Sequence, residues 1–356
     1  MFRLKRLSDS IVSRRTRSTN PRPIRACTSW QGTVTEGQAV LCHLTGDQLR
    51  MIEPTEKALA QGPGPLAVPE GGERTSIVAD LRAIASELVD FRELLVELTL
   101  RDIRIRYKQA VMGVFWAILT PLVLLLSGWI LRVAFGRLTG QAPNDMAMAG
   151  LAVKSLGWAF FVGALGFGTA SITANLALVT KTYFPREILP LASVLTQLVD
   201  AAIGTLALLL ALPFFGVHLS AALLWVVPLV CMLIMITTGA VLLGSCANVF
   251  FRDARHLVQL VLSFGIFFTP VFFDLDALGP VGSKLGMLNP LAPVLEGLRL
   301  AVVHGHDLLQ PLASANGAYL VWAPWYLGYA AIWAVVLLGA SAVIFHRSEF
   351  VFAEYV

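Results

Sequence analysis

Apolar positions along the chain follow two different rules. Between Asp80 and Leu98 they recur at steps of three and four: Ile84, Leu88, Phe91, Leu95 and Leu98 form one stripe, the signature of a helix with a single buried face. Beyond residue 110 the periodicity gives way to stretches with no Asp, Glu, Lys or Arg at all. These are 109–131, 155–180, 188–251 (broken only by Asp200, with His218 in the turn), 256–273 and 308–346. A helix needs roughly 20 mostly apolar residues to cross a bilayer. The spacing therefore predicts six spanning helices, at about 112–134, 155–178, 189–214, 221–249, 257–274 and 323–345. The predicted class is an all-α integral membrane protein.

Charge placement sharpens this division. Only 14% of the 356 residues are charged, against about 25% in a soluble domain, which excludes an ordinary soluble enzyme and a disordered chain. Residues 1–110 hold 17 Lys/Arg against 13 Asp/Glu, so the whole net charge of +4 lies ahead of the first span. Residues 1–79, punctuated by Pro and Gly and opening with Arg- and Ser-rich sequence, read as a flexible basic extension. It resembles either an organellar targeting segment or a tail drawn to anionic lipid. The expected organisation is thus 1–79 extension, 80–110 amphipathic helix, 111–356 membrane domain.

The amphipathic helix runs into Arg101-Asp102-Ile103-Arg104-Ile105-Arg106-Tyr107-Lys108. Arg101, Arg104 and Lys108 share a face, and a basic helix ahead of a span is suited to the headgroup layer. With the N-terminus inside, nine Lys/Arg flank the inner ends of the spans, including Lys181, Arg186, Arg252, Arg255 and Arg347. Five flank the outer ends: Arg132, Arg137, Lys154, Lys284 and Arg299. The bias favours both termini in the cytoplasm.

Several chemistries find no motif. There is no Gly-x-x-x-x-Gly-Lys-Ser/Thr, His-Glu-x-x-His or Gly-x-Ser-x-Gly, so the chain has no phosphate-binding loop of its own. The four cysteines, Cys27, Cys42, Cys231 and Cys246, have neither disulfide-framework nor metal-ligand spacing. The last two are expected as buried, apolar-like cysteines. Asp200 is the one carboxylate inside a span, either a structural hydrogen-bonding group or an ion or substrate site. Asp274, Asp276, Glu296, His304, His306 and Asp307 lie outside the spans, too scattered in sequence to predict a catalytic site.

The most informative short segment is Leu178–Pro190. It is aromatic, carries both signs of charge and holds Pro185 and Pro190, each able to open a helix. Tyr183 and Phe184 would be apolar knobs, with Lys181, Arg186 and Glu187 as a polar rim. A rigid knob of this kind suits docking of a soluble partner; the alternative is an interfacial turn with aromatics at headgroup depth.

Lys181-Thr-Tyr-Phe-Pro-Arg-Glu-Ile-Leu-Pro190 resembles the first inner loop of ABC-2 type export permeases for polysaccharides and polyol phosphates, the membrane subunits for O-antigen, capsule and teichoic acid export. Four further segments agree in order. They are Arg101–Gln109 followed by Gly113, Trp116 and Pro121; Asn248–Arg255 with Arg252, Asp253 and Arg255; Asn289-Pro290 through Glu296-Gly297 and Arg299; and Phe345–Glu349 with Phe352-Ala353. The resemblance covers about 85–356 and leaves 1–79 unmatched.

This resemblance implies a pair of permease copies with two cytosolic nucleotide-binding subunits, which carry the ATP and magnesium; no cofactor is implied in this chain. Lys181, Tyr183, Phe184, Pro185, Arg186 and Glu187 would form the coupling loop. Arg101–Lys108 would form the interface helix, and 276–310 short re-entrant helices gating the outer mouth, with Asn289, Pro290, Glu296 and Arg299 as gate residues. The substrate implied is a glycan or lipid-linked glycan, in a bacterial inner membrane and with no nucleic acid involved. Aromatic side chains stack on sugar rings without demanding one sequence, so Trp116, Phe264, Phe267 and Phe268 are candidate channel-lining residues; lipid contact is the alternative. Two rival functions remain open: an ABC-2 exporter of a drug or lipid, and an ion-gradient-driven carrier using Asp200.

Overall fold

A computed structural model describes residues 76–108, 115–139, 145–182, 184–218, 220–314, 319–349 and 351–352. The expected extension (1–79) lies almost wholly outside the described residues, as do Gln109, Gly113, Tyr183 and Ala353; the side chains of Trp116, Pro121 and Asp276 do so too.

Twelve α-helices are described. They are α1 (Ile77–Asp90), α2 (Arg92–Lys108), α3 (Phe115–Thr139), α4 (Asp145–Thr169), α5 (Ser171–Ala174), α6 (Leu176–Lys181), α7 (Ile188–Ala211), α8 (Val226–Phe250), α9 (Ala254–Phe268), α10 (Gly279–Gly286), α11 (Leu291–Val303) and α12 (Trp325–Glu349). Short 3-10 turns extend α7 to Phe215 and lead into α8 from Ala221. A two-stranded antiparallel hairpin, β1 (Leu312–Ala313) and β2 (Leu320–Trp322), precedes α12.

Four stretches are long and apolar enough to cross a membrane: 145–169, 188–215, 221–250 and 325–349. The pair α10 and α11, bent by 109°, forms a fifth candidate, either a broken span or a re-entrant loop. Residues 122–134 and 254–268 are shorter apolar helical stretches. The second span begins ten residues earlier than the uncharged run predicts, at Asp145, and ends at Thr169. Lys154 therefore lies inside a helix and not on its outer flank. The uncharged-run rule misses it because a Lys with carboxylate partners can be buried.

In a bilayer every backbone and hydroxyl group needs an internal partner. The helices satisfy the backbone, and the buried threonines turn back on their own helix. Thr169, Thr196, Thr237 and Thr238 donate to the carbonyls of Leu165, Ala192, Leu233 and Ile234 at 2.6–2.8 Å. Helices α4, α8 and α12 then pack closely through small residues. A Cβ on Gly168 would stand 2.3 Å from Val241 Cγ1, and one on Gly239 would stand 3.0 Å from the backbone of Leu337 and Leu338.

Two apolar cores result, at opposite ends of α8 and α12. At the far end, Trp322, Leu229, Val294 and Leu295 are fully or almost fully buried. The indole N–H of Trp322 donates to Leu308 O at 2.9 Å, fixing the hairpin beneath α11. At the near end, Ile84 and Leu98 pack with Phe184, Ile188, Leu242, Cys246, Val249, Phe345 and Phe352. The stripe of α1 and α2 does face this core, with Leu88, Phe91 and Leu95 partly buried against it. The predicted single helix breaks once, at Phe91. Cys246 is buried as expected, whereas Cys231 is exposed on α8.

Candidate functional site: three buried charge clusters and an aromatic face

The first cluster lies at the far end. Lys154 is completely buried in α4. Its Nζ donates to Phe273 O at 2.8 Å and Asp274 Oδ1 at 2.9 Å, and lies 3.7 Å from Glu296 Oε2. Arg132 on α3 reaches Asp274 Oδ2 at 3.1 Å. Arg299 donates to Glu296 Oε1 from both Nε and Nη2, and approaches Asp274 Oδ1 at 3.6 Å. Burial would raise the Asp274 pKa, but Lys154, Arg299 and Arg132 together hold it well below the usual carboxylate range. His304 lies 2.7 Å from Arg299 through Nε2. Burial, and then Arg299, push its pKa down, which favours the neutral ring.

Glu296 and Arg299, three apart on α11, pair with each other, and Glu296 is 0% exposed. This cluster corrects one expectation. Asp274, Glu296 and His304 are not scattered: one network gathers them with cations from α3, α4 and α11. The missed signal is the lone Lys154 inside the apolar run Met148–Phe161. His306 stands apart from this network, facing Gln310 O at 3.0 Å. Asn289 joins the same region. Its Nδ2 donates to Thr269 Oγ1 at 2.9 Å and its Oδ1 accepts from Leu291 N at 3.1 Å, next to Pro290 at the start of α11.

The second cluster surrounds Asp200, midway along α7. Arg106 and Tyr107 on α2 both donate to its carboxylate. Arg106 also reaches Gln197 Oε1 at 3.2 Å and lies 4.3 Å above the Phe167 ring. Asp200 is thus not a lone carboxylate. Arg101 pairs with Asp102 and donates to Asn175 Oδ1 at 2.9 Å, at the junction of α5 and α6. Only Arg104 and Lys108 of the predicted basic face are exposed. The fixed partners on α5–α7 turn Arg101 and Arg106 inward.

The third cluster lies at the near end, around the predicted coupling loop. Phe184 is 6% exposed and Glu187 2% exposed, so neither is a projecting knob or rim residue in this chain. Phe184 joins the near-end core, and Glu187 Oε1 faces His346 Nδ1 at 3.1 Å. Pro185 is also buried. The backbone N–H of Arg186 donates to Glu349 Oε1 at 3.0 Å, and its Nη1 to Glu349 O at 2.6 Å. Arg347 pairs with Asp80 at 2.8 Å. Burial first, and then Glu187 and Asp90, raise the Glu87 pKa against an opposing effect of His346. What the loop does expose is the preceding segment: Thr173, Ala174, Leu176, Ala177, Thr180, Lys181 and Thr182. Arg252, Asp253 and Arg255, ahead of and opening α9, are exposed as well.

The aromatic face belongs to α9. Phe264, Phe267 and Phe268 are all exposed, Phe268 at 77%. Beside them runs an open apolar groove of about 460 Å³, walled by Trp158, Phe161, Phe264, Phe268 and Asn289. The groove thus connects an aromatic surface to the start of α11.

Comparison with known proteins adds an independent observation. A family model described as ABC-2 type transporter matches residues 93–303. The chain is 28% identical over 215 residues to an O-antigen export system permease protein RfbA of Klebsiella pneumoniae, covering 60% of this chain and 81% of that protein. It is 28% identical over 279 residues to an O-antigen export system permease protein RfbA of Myxococcus xanthus, covering 76% of this chain and 98% of that protein.

Proposed function

The chain belongs to the ABC-2 type transporter family, and from that premise we propose that it is the permease subunit of an ABC exporter that moves a polysaccharide or lipid-linked glycan out of the cytoplasm. The observation that carries this reading is the similarity to permeases named for O-antigen export, which covers 98% of one of them and 76% of this chain. The exposed phenylalanines of α9 and the adjoining apolar groove support it, because ring stacking suits a long, repetitive sugar chain. In this reading Trp116, Phe264, Phe267 and Phe268 line the path, and a drug or lipid exporter is the alternative within the same family.

The chain would supply no catalysis itself. Two copies would sit in a bacterial inner membrane with two cytosolic ATPase subunits, which bring the ATP and magnesium. Six spans are proposed by adding α3 and α9 to the four long stretches, with α2 as the interface helix and both termini cytoplasmic. Residues 80–110 and 111–356 would then be the interface and membrane regions behind the 1–79 extension. Helices α10 and α11, carrying Asn289, Pro290, Glu296 and Arg299, would gate the outer mouth.

ATP binding closes the partner subunits, and that motion must enter the permease through a rigid element. The exposed α6, ending at Lys181, is suited to contact. Arg186 and Glu187 behind it are anchored to α12, so a push on α6 would be passed to the body of the bundle. Lys181 and the exposed Arg252, Asp253 and Arg255 would form the polar rim. The pairing of Asp200 with Arg106 favours a structural role over a free ion site.

The test is an affinity purification of the full chain from gently solubilised membranes, with mass spectrometry and ATP turnover measured on the eluate. A co-purifying P-loop ATPase, lost with Lys181→Glu, is the expected result. Clean permease without ATP turnover, with transport that collapses with the ion gradient, would overturn it.

A further inference from the structure

At the near end three separate elements bring together a donor set for which the transport reading gives only a mechanical role. Glu87 comes from α1, Glu187 from the turn entering α7, and His346 from the last turn of α12. One ligand atom from each lies within 4.8 Å of the other two. Glu187 contributes a second, independent observation. Its side chain is 3% exposed, Oε1 is taken by His346, and Oε2 is buried with no hydrogen-bond partner. A desolvated carboxylate oxygen without a donor is costly, and native structures rarely leave one in place without a reason.

Among the described residues no donor reaches Glu187 Oε2. Glu349, a third carboxylate beside the group, takes the Arg186 backbone N–H. The Arg186 side chain is directed to the Glu349 backbone oxygen and lies 4.0 Å from its carboxylate. Arg347 is occupied with Asp80. Three glutamates therefore meet around one imidazole, with the adjacent arginine already engaged.

We propose that Glu87, Glu187 and His346 bind a divalent transition-metal cation of the zinc or manganese class. An imidazole nitrogen with two carboxylates selects this class over magnesium or calcium, which prefer all-oxygen sets. Metal–ligand bonds of about 2.0–2.2 Å need donor atoms roughly 3–3.5 Å apart, so the three side chains close slightly on the ion. Glu187 Oε2 gains its partner, and the ion joins α1, the turn behind α6 and α12 at one point. The site does not depend on the identity of the exported substrate.

The test uses full-length protein without a polyhistidine tag, stripped with EDTA in detergent and then titrated calorimetrically with Zn²⁺, and in parallel with Mn²⁺. One equivalent of one of these ions per chain is expected, with an accompanying rise in the unfolding temperature. Glu87→Gln and His346→Gln should remove both effects; Glu87 is only partly buried, so its replacement spares the fold, which a monodisperse gel-filtration profile checks. Wild-type protein that takes up neither ion stoichiometrically overturns the site and leaves Glu187 with a proton-bearing His346 alone. Undiminished binding by the two variants overturns the ligand assignment.

Discussion

The far-end and near-end clusters both bury ionised groups, but they balance charge in opposite ways. The far end has three permanent cations, Arg132, Lys154 and Arg299, around Asp274 and Glu296, and every one of these charges has an opposite partner within 4 Å. The near end gathers Asp80, Glu87, Glu187 and Glu349 around Arg186, Arg347 and the titratable His346. The first cluster carries a cation surplus and joins α3 and α4 to the elbow before α10 and α11. The second carries a carboxylate surplus and joins α1 and α12 to the turn beneath α6. Each end leaves one buried carboxylate oxygen without a hydrogen bond, Glu296 Oε2 and Glu187 Oε2, but only at the far end does a permanent cation, Lys154, stand within 4 Å of it.

The largest expected effect comes from breaking the far-end cluster. Lys154→Met leaves Glu296 Oε2 without its nearest cation in a fully buried site, and should cost about 3–5 kcal/mol of stability, read by unfolding in detergent. Wild-type stability for this variant would erase the contrast between the two ends. At the near end, Phe184→Ala removes a core side chain and should cost a similar amount, about 3–5 kcal/mol. Export would then fall because the fold weakens. Lys181→Glu, on the exposed end of α6, should abolish ATP-coupled export while leaving the unfolding curve unchanged. If the two variants behaved alike in both measurements, the division between buried anchor and exposed contact would fail.

A smaller effect is expected at the cluster between them. Asp200→Asn keeps the shape but removes the charge facing Arg106, for a loss of about 1–3 kcal/mol. Export should persist when ion gradients are collapsed, and strict gradient dependence would instead reinstate Asp200 as an ion site. The smallest effect concerns pH. The His304 pKa is lowered from 6.5 in the folded chain, so the unfolded chain takes up its proton first as pH falls. Its contribution to stability is complete above about 6.5 and is lost as pH drops through the lower folded value. His304→Gln should remove this small acid-side loss, read as a change in the difference from wild-type unfolding temperature between pH 7 and 5. Asp274, also lowered, contributes above its ordinary 3.8, so it leaves that window flat.

Much of this was legible in the sequence for a physical reason. Long uncharged runs mark the helices around 189–214, 221–249 and 323–345 because lipid exposure forbids unpaired charge, and the three- and four-residue spacing of Ile84 to Leu98 marks the buried face of α1 and α2. The same logic hid Lys154, whose partners Asp274 and Glu296 lie 120 and 142 residues away. It also exaggerated the exposure of Phe184 and Glu187, because a short aromatic loop looks the same in sequence whether it faces a partner or the last turn of α12. The Glu87, Glu187 and His346 group has no local spacing, since its members come from three distant segments.

The contact of Asp80 with Arg347 spans 267 residues, and it sets the order in which the molecule can be assembled. Phe345 and Phe352 complete the core into which Ile84 and Phe184 pack. A ribosome adding about 5–20 residues per second delivers Arg347 more than ten seconds after Asp80. Throughout that interval the apolar stripe of α1 has no permanent seat and must shelter against lipid or a chaperone. The first described helix can therefore close against α12 only after α12 has been made, so this core is sealed late in synthesis.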